Sequence, residues 1–256
     1  MLLKGAIVHA PRLGHLEILQ DHIIGRHQLD GHGIITVLAP VNTPEAKTTI
    51  QKYSQENIVV LPQGSFFLPT FCDIHLHAPQ FLYQGTGLDL PLMQWLDTYA
   101  LKAEARMDAD PVLARKVYTR LAQRLIENGT GTSLLFGTIK EETNLILAEC
   151  MQSAGCRAFV GKLSMDIDIT SPDSKTITYV EPSVSASLGA AHLFISHCRG
   201  LVAHLHESQR LVEPVLTPRF VPTCTDELLK GLGEISRTEG VKIQSHLAEA
   251  RDQVEW

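Results

Sequence analysis

From Pro69 onward the chain alternates β-prone runs with amphipathic stretches of ten or more residues, and few folds accept that rhythm. Phe67 to Ala78 reads as a strand, followed by a long loop. Asp108 or Asp110 can then cap a helix, with Pro111 in its first turn and Gly129 as its stop. Its apolar face runs through Leu113, Val117, Leu121 and Leu125, four residues apart. GTGTSLLFGT reads as a second strand, Glu141 to Ala154 as a helix before Gly155, and CRAFVGKLSMD as a third strand. After the loop-like SPDSKTITYVEPS, residues 186–208 read as a helix, and LVEPVLTPRF as a fourth strand broken at Pro214 and Pro218. Thr225 caps a helix running to about Glu239, Gly240 stops it, and VKIQSHLAE is a fifth strand.

Strands separated by helices imply a parallel sheet of right-handed βαβ units. No G-x-G-x-x-G follows a strand, which counts against the dinucleotide-binding version of a doubly wound sheet. Long excursions after the strands favour the (β/α)8 TIM-type barrel, here incomplete with about five βα units, whose function sits on loops at the strands' carboxyl ends. Residues 1–68 read differently, as a small β-rich module built from LLKGAIVHA, LEILQDHIIGR, GIITVLAP and NIVVLP, punctuated by Asp30-Gly31 and Gly33. A short helix is expected between Pro44 and Gln55. The expected domains are thus 1–68 and 69–256.

The chemistry gathers in FCDIHLHAPQ, residues 71–80. His75 and His77 stand at i and i+2, on one face of a strand, while Ile74 and Leu76 turn to the other and are expected to pack on helices. Backbone positions roughly 7 Å apart let two imidazoles converge on one metal ion. His246 occupies a comparable strand end, so His75, His77 and His246 form a three-nitrogen set suited to Zn2+. Glu249, three residues on, can carry a proton for water held there, and a metal lowers that water's pKa to roughly 7. Gln80 offers a donor and an acceptor, and Arg219 a forked donor. Plainer roles compete: a core histidine bonded to backbone, a helix-capping carboxylate, a surface ion pair, a packing or lid tryptophan at Trp95. His204 and His206 fall in the expected helix, where i and i+2 diverge, and His9, His15, His22, His27 and His32 have no ligand spacing.

A net charge of −6 argues against nucleic acid as a partner, and no apolar run approaches the length of a membrane span. Five cysteines without a C-x-x-C suggest reduced packing thiols and a cytoplasmic protein. No P-C-x-x-C accompanies a histidine motif, against a cytidine-deaminase type of zinc site.

FLPTFCDIHLHAPQFLYQGTGLDLPLMQWLDTYALKAEARM resembles the opening of the barrel in guanine deaminases of the amidohydrolase superfamily. The likeness continues through VYTRLAQRLIENGTGTS, RAFVGKLSMD, LTPRF and IQSHLAEARDQVEW, and is weak in residues 1–60. H-x-H alone says nothing of substrate, whereas H-x-H-A-x-Q, DLPL-x-x-WL and T-P-R-F belong to the guanine-deaminating branch. The resemblance implies Zn2+ on His75, His77 and His246, with Glu249 as the catalytic proton carrier. It implies purine contacts from His77, Ala78, Pro79, Gln80, Arg219 and Phe220, with His246 and Glu249 bordering the substrate. The implied reaction is guanine plus water to xanthine plus ammonia, with Arg219 on the purine O6. Adenine lacks that oxygen and would leave the arginine unpaired. In its complete form the family implies a homodimer. It also implies a further metal-site histidine after a sixth strand and an aspartate after an eighth, and neither stands in this sequence. The chain is therefore expected to be an amino-terminal part, nearly inactive alone. Two alternatives stay open: hydrolysis of another amino-heterocycle such as a pterin or triazine, and a non-catalytic role binding the full-length protein through an unpaired sheet edge.

Overall fold

The computed structural model describes residues 1–25, 35–169, 178–251 and 254. Asp30-Gly31, Gly33, His27 and His32 lie outside the described residues, as does much of the 171–183 connection. The chain divides into two compact units, Met1–Thr70 with His206–Gln209, and Phe71–Leu205 with Arg210–Trp256.

In the first unit, β1 (Leu2–Arg12) pairs antiparallel with β2 (His15–Gly25), and β2 with β3 (Val37–Pro40). Helix α1 (Pro44–Gln51) is capped by Thr43, whose hydroxyl accepts from the Ala46 N–H at 3.2 Å. Strands β4 (Ile58–Val60) and β5 (Phe66–Phe67) both lie parallel to β1. Leu2, Ile23, Val37 and Ala39 close a small core over Ala46 and Tyr53.

The second unit carries a parallel sheet in the order β6 (Phe71–His77), β7 (Thr130–Phe136), β8 (Arg157–Ser164), β9 (Val212–Pro218). The β6 strand is shorter than expected because Phe66-Phe67 pairs with β1, and Pro69, lacking an N–H, separates the two ladders. The expected long loop is largely helical. After a 3-10 turn over Ala78–Tyr83, α2 (Leu92–Trp95) runs through a π-turn at Leu96–Ala100 into α3 (Leu101–Ala109). Then α4 (Pro111–Glu127) begins where the Asp110 carboxylate accepts from the N–H groups of Val112 and Leu113 at 3.1 and 3.0 Å. Helices α5 (Glu141–Ala154) and α7 (Asp226–Glu239) end on Gly155 and Gly240, both left-handed at φ 78° and 65°. Helix α6 (Val184–Val202) stops sooner than expected: Arg210 donates to the carbonyls of Leu205 and Ala203 at 2.9 and 3.0 Å, holding the chain in a turn. His204 and His206 therefore lie outside any α-helix.

Val117, Leu121 and Leu125 of α4 pack with Leu147, Met151 and Phe194 against Leu135 and Val160, and Leu113 joins them partly buried. Leu76 packs on this core, but Ile74 does not: it is 76% exposed. The cause is topology, since β6 ends the sheet and nothing among the described residues covers that flank. Pro214 does not break β9. Leu216 N–H points to Lys242 and Arg219 N–H to Ser164, so alternation turns Pro214 away from β8, where its missing donor costs no ladder bond. The expected fifth strand is reduced to two bridges, Leu216 with Ile243 and Phe220 with His246. With β9 on one side and no described strand on the other, the segment lacks the second ladder that would extend it. All five cysteines are free, four of them buried, and Cys72 is exposed.

Candidate metal and substrate site

Strand β6 delivers His75 and His77 to the carboxyl end of the sheet, and the Phe220–His246 bridge brings the third histidine beside them. Ligand nitrogens of the three lie within 4.8 Å of one another. The Nε2 atoms of His77 and His246 stand 2.9 Å apart. A tetrahedral zinc with bonds of about 2.1 Å spaces its ligands about 3.4 Å apart, so small side-chain adjustments suffice to fit one. His246 Nδ1 lies 2.6 Å from the Arg219 carbonyl, which can only accept, so this nitrogen carries the proton and Nε2 keeps its lone pair. Backbone bonds of this kind fix the tautomer of metal-binding histidines.

Burial holds His77 below the usual histidine range, with Arg219 and the neighbouring rings adding to it. Burial also lowers His246, against its bond to the Arg219 carbonyl and the nearby Glu249. Both are neutral at neutral pH, the form a metal needs. Phe136, fully buried, lies against all three rings, its centroid 4.8 Å from His75, 4.6 Å from His77 and 4.4 Å from His246.

A cavity of about 690 Å³ opens beside the cluster, lined among others by Asp73, His75, His77, Gln80, Trp95 and Glu249. A smaller recess joins His77, Gln80, Trp95, Arg219, Phe220 and Glu249. Glu249 is solvent-exposed and follows Ala248, whose φ of 53° turns the chain in a conformation L-residues seldom adopt. Trp95 donates its indole N–H to the Thr86 carbonyl at 3.0 Å, fixing the wall that α2 presents. Ala78 and Pro79 are buried and line neither space; Ala78 packs in the core.

Arg219 is buried to 1% exposure and forks onto Glu104 of α3, at 2.5 and 3.0 Å. Burial pushes the Glu104 carboxyl up, and the guanidinium pulls it down. Both its oxygens accept from a group that can only donate, so the pair is charged. Sequence reading missed Glu104 and Phe136. For Glu104 a signal existed: Leu92, Leu96, Ala100, Glu104 and Asp108 recur every four residues, an apolar stripe that turns acidic. For Phe136 there was none, since any buried strand carries such residues.

A parallel βα sheet thus gathers three histidines at the carboxyl ends of its strands. The chain belongs to the amidohydrolase family, whose pattern it matches over residues 66–256. It is 36% identical over 255 residues to guanine deaminase of Mus musculus, covering 100% of this chain and 53% of that protein. The solved guanine deaminase from C. acetobutylicum, with guanine bound in its active site, superposes with a TM-score of 0.80 at 28% identity, covering 98% of this chain and 54% of the other. An adenosine deaminase from Xanthomonas campestris with bound zinc shares the fold, with a TM-score of 0.72 at 18% identity over 99% of this chain and 50% of its own. The chain spans about half the length of the curated relatives it matches. No described helix is long and apolar enough to cross a membrane.

Proposed function

We propose that this chain forms the metal-binding and substrate-recognising part of a site that deaminates guanine to xanthine and ammonia. The observation that carries this is the convergence of His75, His77 and His246 within 4.8 Å, beside a recess holding Arg219, Gln80 and Glu249. His75, His77 and His246 would hold zinc, which when bound supplies the Lewis acidity that makes water nucleophilic at neutral pH. Phe136 and the Arg219 carbonyl orient the imidazoles. Glu249 takes a proton from the attacking water and returns it to the departing amine. Arg219 and Gln80 hold the ring carbonyl and its neighbouring N–H, and Phe220 and Trp95 wall the ring from water. A base lacking the carbonyl leaves buried Arg219 donors unmet, a basis for rejecting adenine.

The test supplies zinc to residues 1–256 and follows guanine loss and xanthine formation. Slow conversion is expected, absent with adenine and lost in Glu249→Gln while guanine still binds. Conversion that survives Glu249→Gln, or zinc-loaded protein that neither binds nor converts guanine, refutes the assignment.

A further inference from the structure

Without metal, Arg219 is the one cation among the described residues that line the small recess, and a bare guanidinium there would favour anionic ligands over neutral ones. The fork to Glu104 changes that. Two of five N–H groups are committed to the carboxylate, leaving three for a ligand. Glu104 is 0% exposed and Arg219 1%, so solvent screens neither, and the ion pair as a unit is neutral. Asp108, the neighbouring acid on the same helix, is engaged elsewhere: it accepts from the Tyr179 hydroxyl at 2.6 Å and from the Lys140 N–H at 3.3 Å. Tyr83 stays a phenol, its ionisation suppressed by burial and by Glu104 itself.

We infer that Glu104 is a specificity-determining residue, which neutralises Arg219 so that the recess selects a neutral amide-type carbonyl and refuses a carboxylate of the same shape. This rests on the reading of Arg219 as the ring-carbonyl donor. The two-point fork also holds the guanidinium in one plane, which limits the directions in which its remaining N–H groups can donate. A carboxylate entering the recess would meet the Glu104 charge behind Arg219 in a place where little water weakens repulsion.

Benzamide and benzoate, alike in shape and different in charge, are the probes, with binding read by ligand-observed NMR on metal-free residues 1–256, since zinc would itself take the carboxylate. The wild-type protein is expected to favour benzamide. Glu104→Gln keeps the side-chain shape and frees the cation, and should shift the benzoate-to-benzamide ratio at least about tenfold toward benzoate. The double variant Glu104→Gln with Arg219→Gln, neutral again, should lose that gain. A wild-type preference for benzoate overturns the inference without any variant, which covers the case of a Glu104→Gln protein that fails to fold. A ratio within twofold of wild type in folded Glu104→Gln, or binding of neither probe, overturns it as well. The deamination reading is scored separately: inversion of the ratio in protein that, once loaded with zinc, neither binds nor converts guanine refutes that reading and leaves Glu104 in its role.

Discussion

Phe136 offers the sharpest way to separate packing from preorganisation at this site. Its ring is fully buried and touches all three imidazoles at centroid distances between 4.4 and 4.8 Å. Phe136→Ala would cost about 3–5 kcal/mol from lost burial and the cavity left behind, a large part of a domain's net stability. Phe136→Leu keeps the apolar character and most of the volume, at about 1–1.5 kcal/mol. If the ring also serves as the wall that sets the imidazoles, the leucine variant must reorder them on binding metal. An affinity loss of about tenfold is expected, equal to about 1.4 kcal/mol. Urea unfolding with and without zinc reads both effects. At 100 times the dissociation constant, zinc stabilises by about 2.7 kcal/mol, and a tenfold weaker site at the same zinc retains about 1.4. The variant should therefore lose more stability with zinc than without, and calorimetric titration should show the same affinity change. Equal losses in both conditions, with unchanged zinc affinity, would refute the wall and leave Phe136 a core residue only.

Two further outcomes follow from the same geometry. Asn144, fully buried, accepts from the Thr138 N–H at 3.0 Å; Asn144→Ala strips that donor and should cost about 2–3 kcal/mol in urea unfolding, whereas a loss below about 0.5 would show the loop finds another partner. For the metal-free protein, His77 and His246 sit below the usual 6.5, so the unfolded chain binds more protons than the folded one as pH falls. Stability must then drop from pH 7.5 to 5.5, with zinc affinity falling in the same direction; a flat profile, or a drop that persists unchanged when both histidines are replaced, would contradict the burial of these rings.

Local signals carried much of the fold. Thr225, Gly155 and Gly240 fixed helix ends to the residue, and the structure chose Asp110 over Asp108 as the cap before Pro111, because caps and left-handed stops act over one turn and need no distant partner. The pairing of His75 with His77 on one face was equally legible, as a strand's period of two is a property of the backbone. The helix over residues 92–109 was also written in the sequence, as a stripe with a spacing of four, but the Gly- and Pro-rich run before it masked the signal.

The sequence by itself determined which residues share a strand face or a helix stripe. Tertiary structure alone decided what those faces meet. His77 finds His246 across 169 positions, and Arg219 finds Glu104 across 115. Neither pairing has a local trace, because an ion pair or a shared ligand shell depends on which strand ends the βα crossovers bring together. The same holds for Ile74 and VKIQSHLAE: their composition is that of buried strand, but burial and ladder bonds come from neighbours, and only the assembled sheet shows where a neighbour stands.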